Sequence, residues 1–220
     1  GLTEEAFAKT KFLSRTAGFG ELLAARDLDA LETEASKYLK SEKLGFLTIV
    51  DENGEVVLRA HALAQKEDSL FGEAAVSAAL SGEDFVTIES SSAERFSIRA
   101  ASPLYGEENG KVIGAVVAGF LLDNALADNI KRITGLEVSI WENDLVVATT
   151  LLNPDGRTRG TGSILADEAV RSLVLENGKE TVVRTEILSS PALASYLPMK
   201  SADGRIVGMI SSVKPQQEIL

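Results

Sequence analysis

The sequence predicts an α+β chain: a long N-terminal helical segment followed by two copies of one small antiparallel-sheet module. Three observations predict it. The first is a repeated closing hairpin. Pro103 to Val117 reads P-L-Y-G-E-E-N-G-K-V-I-G-A-V-V, and Pro198 to Ser211 reads P-M-K-S-A-D-G-R-I-V-G-M-I-S. Asn109-Gly110 and Asp203-Gly204 are turn pairs, since both residue types tolerate the positive φ a tight hairpin needs. Gly114 and Gly208 interrupt the apolar run that follows, as expected where a backbone approach leaves no room for a side chain. The second observation is a repeated opening hairpin, with Val138 to Ala148 lying over Thr48 to Leu58. The third is helical periodicity through the first forty or so residues, more than a small module needs.

The lead-in places Leu2, Phe7, Ala8, Phe12, Leu13 and Ala17 at three- and four-residue steps over Thr3 to Thr16. Gly18-Phe19-Gly20 breaks the pattern. It resumes from Glu21 to Lys40 through Leu22, Leu23, Leu28, Leu31, Ala35, Tyr38 and Leu39, with Asp27 an internal cap. Residues 1–41 thus read as a spine helix bent at the glycines. The first module, 42–121, takes strands at Phe46 to Val50 and Glu55 to Ala60. A helix capped by Asp68 or Ser69 reaches Leu80, and strands follow at Phe85 to Glu89, Arg95 to Leu104 and Lys111 to Leu121. Strand, strand, helix and three strands joined by hairpins is the element order of a PAS-like module. A connecting helix, 122–135, is capped by Asp123, ends at Gly135 and buries Leu126, Ile130 and Ile133. The second, smaller PAS-like module, 136–220, has a Gly-rich loop from Asn153 to Gly162 and a helix from Leu165 to Leu175.

Composition narrows the function. The formal net charge is −11, which argues against nucleic acid and against charge-driven adhesion to an anionic membrane face. There is no cysteine, so no disulfide and no thiolate chemistry, compatible with cytoplasm or periplasm. No apolar run is long enough to span a bilayer, and no signal peptide is present. The chain starts mid-helix in character, as a piece excised from a longer protein would. One histidine cannot build a metal site. No Ser lies in a nucleophile elbow, no carboxylate pair is singled out by an apolar setting, and the usual nucleophile–base arrangements lack candidates. The glycine loop has no Lys at the place a phosphate loop needs one. The chain therefore reads as no enzyme, with no catalytic residue, no cofactor and no metal.

Three stretches carry a resemblance. The first is Val56-Val-Leu-Arg-Ala-His61 with Lys66-Glu-Asp68-Ser69. The second is Ile133-Thr-Gly-Leu-Glu-Val138 with Ala148-Thr-Thr150, Gly156-Arg157 and Gly160-Thr161. The third is Ala194-Ser-Tyr196-Leu-Pro198 with the Gly208 hairpin. Together they span nearly the whole chain, and it resembles the double-Cache extracellular sensor domains of bacterial chemoreceptors and sensor kinases, closest to the branch that fuses two Cache subtypes. Glu67 stands where that family's pattern has Gly. The resemblance implies a periplasmic or extracellular domain of an inner-membrane methyl-accepting chemotaxis receptor, anchored by two membrane helices that this chain lacks. The first module would lie far from the membrane and the second near it. The same resemblance leaves a histidine kinase or cyclic-dinucleotide enzyme open as the output. Chains would pair as homodimers along the N-terminal helices, because the apolar residues around Phe12 and Leu23 exceed what one sheet can cover.

Arg59 and His61, two apart on a strand, share a face. With Lys66 and the Ser69 hydroxyl they can converge on an anion, to which the planar Arg59 fork and the amides of a helix following Asp68 would donate. A short-chain carboxylate is the ligand this predicts. The competing reading has Arg59 pair with Asp68 and close the pocket structurally, with His61 in a supporting or surface role. Arg99 shares a strand face with Arg95 and is the second candidate donor, whereas Arg95, at the strand start, reads as solvated. Tyr105 lines the pocket mouth or shields the hairpin. A non-ligand-binding interaction module is the rival function. By the resemblance, Arg157 and Tyr196 face a small pocket in the second module, and Trp141 packs.

Overall fold

The computed structural model describes residues 1–65, 68–91, 94–106, 110–187 and 190–215. The chain divides into two units, Gly1–Leu121 and Leu122–Leu220.

The first unit opens with three helices rather than one bent helix: α1 (Leu2–Thr16), α2 (Phe19–Ala24) and α3 (Leu28–Ser41). Gly18 breaks the first junction at φ 70°, a left-handed conformation glycine adopts without steric cost. At the second, Arg26 takes φ 55° and the Asp27 carboxylate caps α3 by accepting from the Ala30 amide at 3.1 Å. Five strands follow, β1 (Phe46–Asp51), β2 (Val56–Arg59), β3 (Phe85–Ser91), β4 (Arg95–Tyr105) and β5 (Val112–Leu121), with α4 (Ala74–Leu80) between β2 and β3. They form one antiparallel sheet in the order β2-β1-β5-β4-β3.

Strand alternation sends Leu47, Ile49, Leu58, Leu104, Val116 and Ala118 to one face, against Leu13, Phe19, Leu31 and Ala35 of the three helices. Leu23 joins this core as a partly buried member, whereas Phe12 is 53% exposed. The other face, with Phe46, Val50, Ala101, Ala115 and Val117, packs on Ala75, Val76 and Ala79 of α4. Small residues on both sides let this short helix lie close to the sheet. It begins at Ala74 without a side-chain cap, so neither Asp68 nor Ser69 starts it. Asp68 is held by Arg59, and Ser69 forms a lone bridge with Glu55.

In the second unit α5 (Asn124–Thr134) precedes β6 (Glu137–Glu142) and β7 (Leu145–Thr149). The Asp123 carboxylate caps α5 by accepting from Leu126 N at 3.0 Å, and Gly135 ends it at φ 72°. Packing centres on Ala127, so Ile133 is 70% exposed instead of completing a buried stripe. A single turn, α6 (Glu168–Val170), continues as a π-helix over Arg171–Glu176. Strands β8 (Thr181–Ile187), β9 (Ser190–Lys200) and β10 (Ile206–Pro215) complete a sheet of order β7-β6-β10-β9-β8. Each strand of the second sheet occupies the place of the strand five before it, which establishes the internal repeat.

Gly114 lies opposite Asp51, the last residue of β1, and Gly208 opposite Glu142, the last of β6. A Cβ on Gly114 would stand 2.2 Å from the Val50 carbonyl, and one on Gly208 2.0 Å from that of Trp141. The glycines are thus a backbone requirement at one position in both copies. Register also corrects the overlay of the opening hairpins. Ile49 pairs with Leu58 and Ile140 with Ala148, so the second turn is one residue shorter: β6 is slipped by one against β1 in the overlay, while β7 keeps its place over β2. That slip matters, because one residue exchanges the two faces of a strand.

Candidate functional site

The α4-covered face of the first sheet carries the polar side chains. Cross-strand partners share a face, and pairing aligns Arg59, Thr48, Val117 and Ala101 in one row and Phe46, Gly119, Arg99 and Thr87 in the next. Arg59 and Arg99 therefore share this face, with β1 and β5 between their strands, and are buried to 1% and 0% exposure. Gly119 leaves room for the Phe46 ring, over which the Arg99 guanidinium sits 5.3 Å from the centroid. Phe46 in turn meets the His61 ring edge-on at 6.0 Å.

Carboxylates converge on both arginines. Arg59 makes a bidentate pair with Asp68, at 2.5 and 2.8 Å, and donates to the Gln65 carbonyl at 3.3 Å. Arg99 donates to Glu94 at 2.6 Å and to the Ser91 hydroxyl at 2.7 Å, contacts Glu73 through Nη1 and has Glu89 3.8 Å from Nε. The other Glu94 oxygen lies 3.4 Å from His61 Nε2 and 3.6 Å from Arg59 Nε. His61 Nδ1 sits against the backbone of Leu47. The buried Thr48 hydroxyl has no hydrogen-bond partner, nor do Nε of either arginine or one oxygen each of Glu89 and Glu94. Burial makes such orphans costly, so this is a polar site with unspent hydrogen-bonding capacity.

Protonation follows the setting. The Arg59 guanidinium holds the Asp68 carboxyl below its ordinary range. Burial pushes Glu94 up, but the nearby His61 ring, the hydrogen bond from Ser91 and the charge of Arg59 outweigh it, leaving it below the usual value. Burial alone pushes Glu89 up. Burial, with the nearby charge of Arg59, brings Arg99 down to about 10, still a cation at neutral pH.

The structure brings Arg59, His61, Asp68 and Arg99 together. Arg59 pairs with Asp68, and His61 lies beside Glu94. Lys66 lies outside the described residues, as does Glu67. Ser69 is not in the cluster; its hydroxyl faces the Gly54 carbonyl and accepts from Phe71 N, because the loop folds back onto the β1–β2 turn. The helix amides expected after Asp68 are absent there, since α4 starts at Ala74. Tyr105, 47% exposed, lies at the far end of β4, its hydroxyl facing the region of Gly82. Arg95 is exposed, as expected, at φ 52°.

Glu73, Glu89, Ser91, Glu94 and Thr48 were not legible as site residues among so many acids and hydroxyls. The one available signal was strand alternation, which puts Glu89 on the face of Thr87 and Arg99.

In the second unit Arg157 and Tyr196 lie in different settings. Arg157 is exposed, while the neighbouring Arg159 folds inward to Asp128 at 2.8 and 2.9 Å and to the Thr149 carbonyl. The Asp155 carboxylate accepts from the Arg157 and Thr158 amides, which makes the glycine loop a structural turn. Tyr196 is half-buried, packed against Leu165, Val170, Val174 and Met209, where burial pushes its hydroxyl up. Trp141 packs there too and donates to Ser211 at 2.9 Å. An open groove of about 270 Å³ lies beside Asp144, Arg171 and Ile206 instead. Among the described residues no group of His, Cys, Asp or Glu could hold a metal, and no helix is long and apolar enough to cross a membrane.

Comparison with known proteins agrees with this architecture. Residues 120–220 match the family model for single cache domain 3. No curated protein sequence matches. The periplasmic domain of Vibrio cholerae LuxQ is similar at 15% identity over 98% of this chain and 92% of that one, with a TM-score of 0.61. The sensor domain of the V. cholerae histidine kinase DctB is similar at 10% identity over 97% and 89%, with a TM-score of 0.59. The ligand-binding domain of the Campylobacter jejuni chemoreceptor Tlp3, in complex with 4-methylisoleucine, is similar at 13% identity over 97% and 81%, with a TM-score of 0.55. The chain thus shares its fold along its length with these solved domains, and residues 120–220 match the cache-domain family model.

Proposed function

We propose that this chain is the ligand-sensing, non-enzymatic domain of a transmembrane receptor, on the periplasmic or extracellular side, and that it binds a small carboxylate-bearing molecule in the first unit. One observation carries the reading: two fully buried arginines beside an unpartnered buried hydroxyl on the α4-covered sheet face. A guanidinium fork is the natural partner of a carboxylate, and the site already surrounds its arginines with carboxylates of the chain. The fold supports the sensing role, since its structural neighbours include a chemoreceptor's ligand-binding domain and a kinase's sensor domain. We favour a chemoreceptor as the parent protein, with a histidine kinase as the alternative output. Exposed Phe12 on α1 supports pairing of two chains through their N-terminal helices. Binding would act on the output through unequal affinity for two receptor states.

The test is a thermal-shift screen of organic acids, amino acids, amines and purines, run in parallel on Arg59→Ala and Thr48→Val. A ligand confined to the native state raises the melting temperature by mass action. Thr48→Val removes an unpartnered hydroxyl, so the free variant should melt no lower than the native chain, yet lose most of a carboxylate-induced shift. The internal pairing of the arginines favours a second reading, a protein-interaction module. A screen in which no compound raises the melting temperature would select it.

A further inference from the structure

Glu94 is held as a bound ligand would be. It is 4% exposed and lies outside any strand, just before β4. Its carboxylate is surrounded by donors from separate parts of the fold: Arg99 and Ser91 on one oxygen, at 2.6 and 2.8 Å, and His61 and Arg59 beside the other, at 3.4 and 3.6 Å. The first pair makes good hydrogen bonds; the second is too long for them. Tethered through its own backbone, Glu94 fills the position without satisfying Arg59. A carboxylate free of the chain could settle closer to Arg59 and His61. The residue that follows, Arg95, takes φ 52°, an uncommon conformation for a bulky side chain.

We propose that the space between Arg59, His61 and Arg99 is an anion site cut to one carboxylate, that Glu94 occupies it, and that Glu94 thereby decides which external carboxylates the first unit accepts. An incoming carboxylate binds by exchange with Glu94, so net charge in the site does not change. Selectivity then comes from whatever the rest of the ligand contacts, and simple monocarboxylates are refused. The arginines do not depend on Glu94 alone: Asp68 retains Arg59, and Glu73 retains Arg99. The biological meaning rests on the sensing role proposed above, but the anion chemistry is tested separately.

The experiment is calorimetric titration of formate and acetate, at constant ionic strength against a chloride control, into the native chain, Glu94→Ala and Glu94→Gln. Glu94→Ala is expected to bind acetate saturably and at least tenfold more tightly than the native chain. Glu94→Gln should gain less, because its amide still fills the space. A folded Glu94→Ala with no saturable binding beyond chloride overturns the proposal. If Glu94→Ala does not fold, acetate must bind Glu94→Gln at least threefold more tightly than the native chain, or the proposal is wrong. A Glu94 that only held the fold together would weaken every ligand when replaced. Acetate binding by Glu94→Ala, with no hit in the native screen, refutes the sensing role and keeps the anion site. Native hits without acetate binding by the variants do the reverse.

Discussion

Replacing Arg99 by leucine separates the charge on this side chain from its bulk. Arg99 is fully buried, and three carboxylates depend on it: Glu94 at 2.6 Å, Glu89 at 3.8 Å, and Glu73. Leucine keeps an apolar stem beside Phe46 and leaves those acids facing one another. Breaking a buried pair by removing one partner costs about 3–5 kcal/mol. With a urea dependence of about 2 kcal/mol per molar, the unfolding midpoint should fall by about 2 M at pH 7. Far-UV circular dichroism reports the helix-rich first unit, and Trp141 fluorescence reports the second. The sign with pH follows from which way each group moves. Without Arg99, the acids sit above their unfolded values, as burial already places Glu89. Their penalty is then absent well below about pH 4.3 and grows as pH rises through their folded values. In the native chain Glu94 lies below its ordinary value, so its contribution is present above that pH and is lost on acidification. The two stability curves must therefore converge between pH 7 and pH 4. A loss under about 1 kcal/mol at pH 7, or a gap that stays constant to pH 4, would refute the charge network as the source of the effect.

Three further outcomes follow from individual contacts. Gly208→Ala, whose Cβ would meet the Trp141 carbonyl at 2.0 Å, should cost about 2–3 kcal/mol in denaturant unfolding, whereas Gly72→Ala, with nothing within 4 Å, should stay within about 0.5 kcal/mol. Asp123→Ala removes the cap of α5 and should destabilise the second unit by about 1 kcal/mol, read by Trp141 fluorescence; an unchanged midpoint would count against the cap. Asp68→Asn breaks the bidentate pair with Arg59. Because Asp68 is held below its usual range, its stabilisation is present above about pH 4 and is lost as pH falls through the folded value. The difference between native and variant should thus be flat near neutrality and close in acid.

Part of this arrangement was readable in the sequence, because it depends on short-range rules. Arg59 and His61 stand two apart, and a strand puts them on one face whatever surrounds them. Asp68 as the partner of Arg59 was one of two open readings, since opposite charges near a half-buried strand commonly pair. Which acids meet Arg99 was not readable. Glu73 ends a loop, Glu89 lies on a neighbouring strand and Glu94 lies in the turn between, and only strand pairing sets their distances. The glycine loop shows the same limit: its two arginines are equivalent in sequence, and a bond to Asp128 on α5 decides that Arg159 turns inward.

The duplication itself was determined by sequence alone, because turn pairs and apolar runs are local signals and the glycines mark the same backbone crossing in each copy. Tertiary structure decided the rest. Register, at one residue per face, settled which Thr, Arg and Glu side chains share the α4-covered surface, and showed the first strands of the opening hairpins to be slipped by one. Burial settled what those side chains do there. An arginine in water is a solvated charge, but the same arginine at 0% exposure must be matched by carboxylates that the fold carries to it.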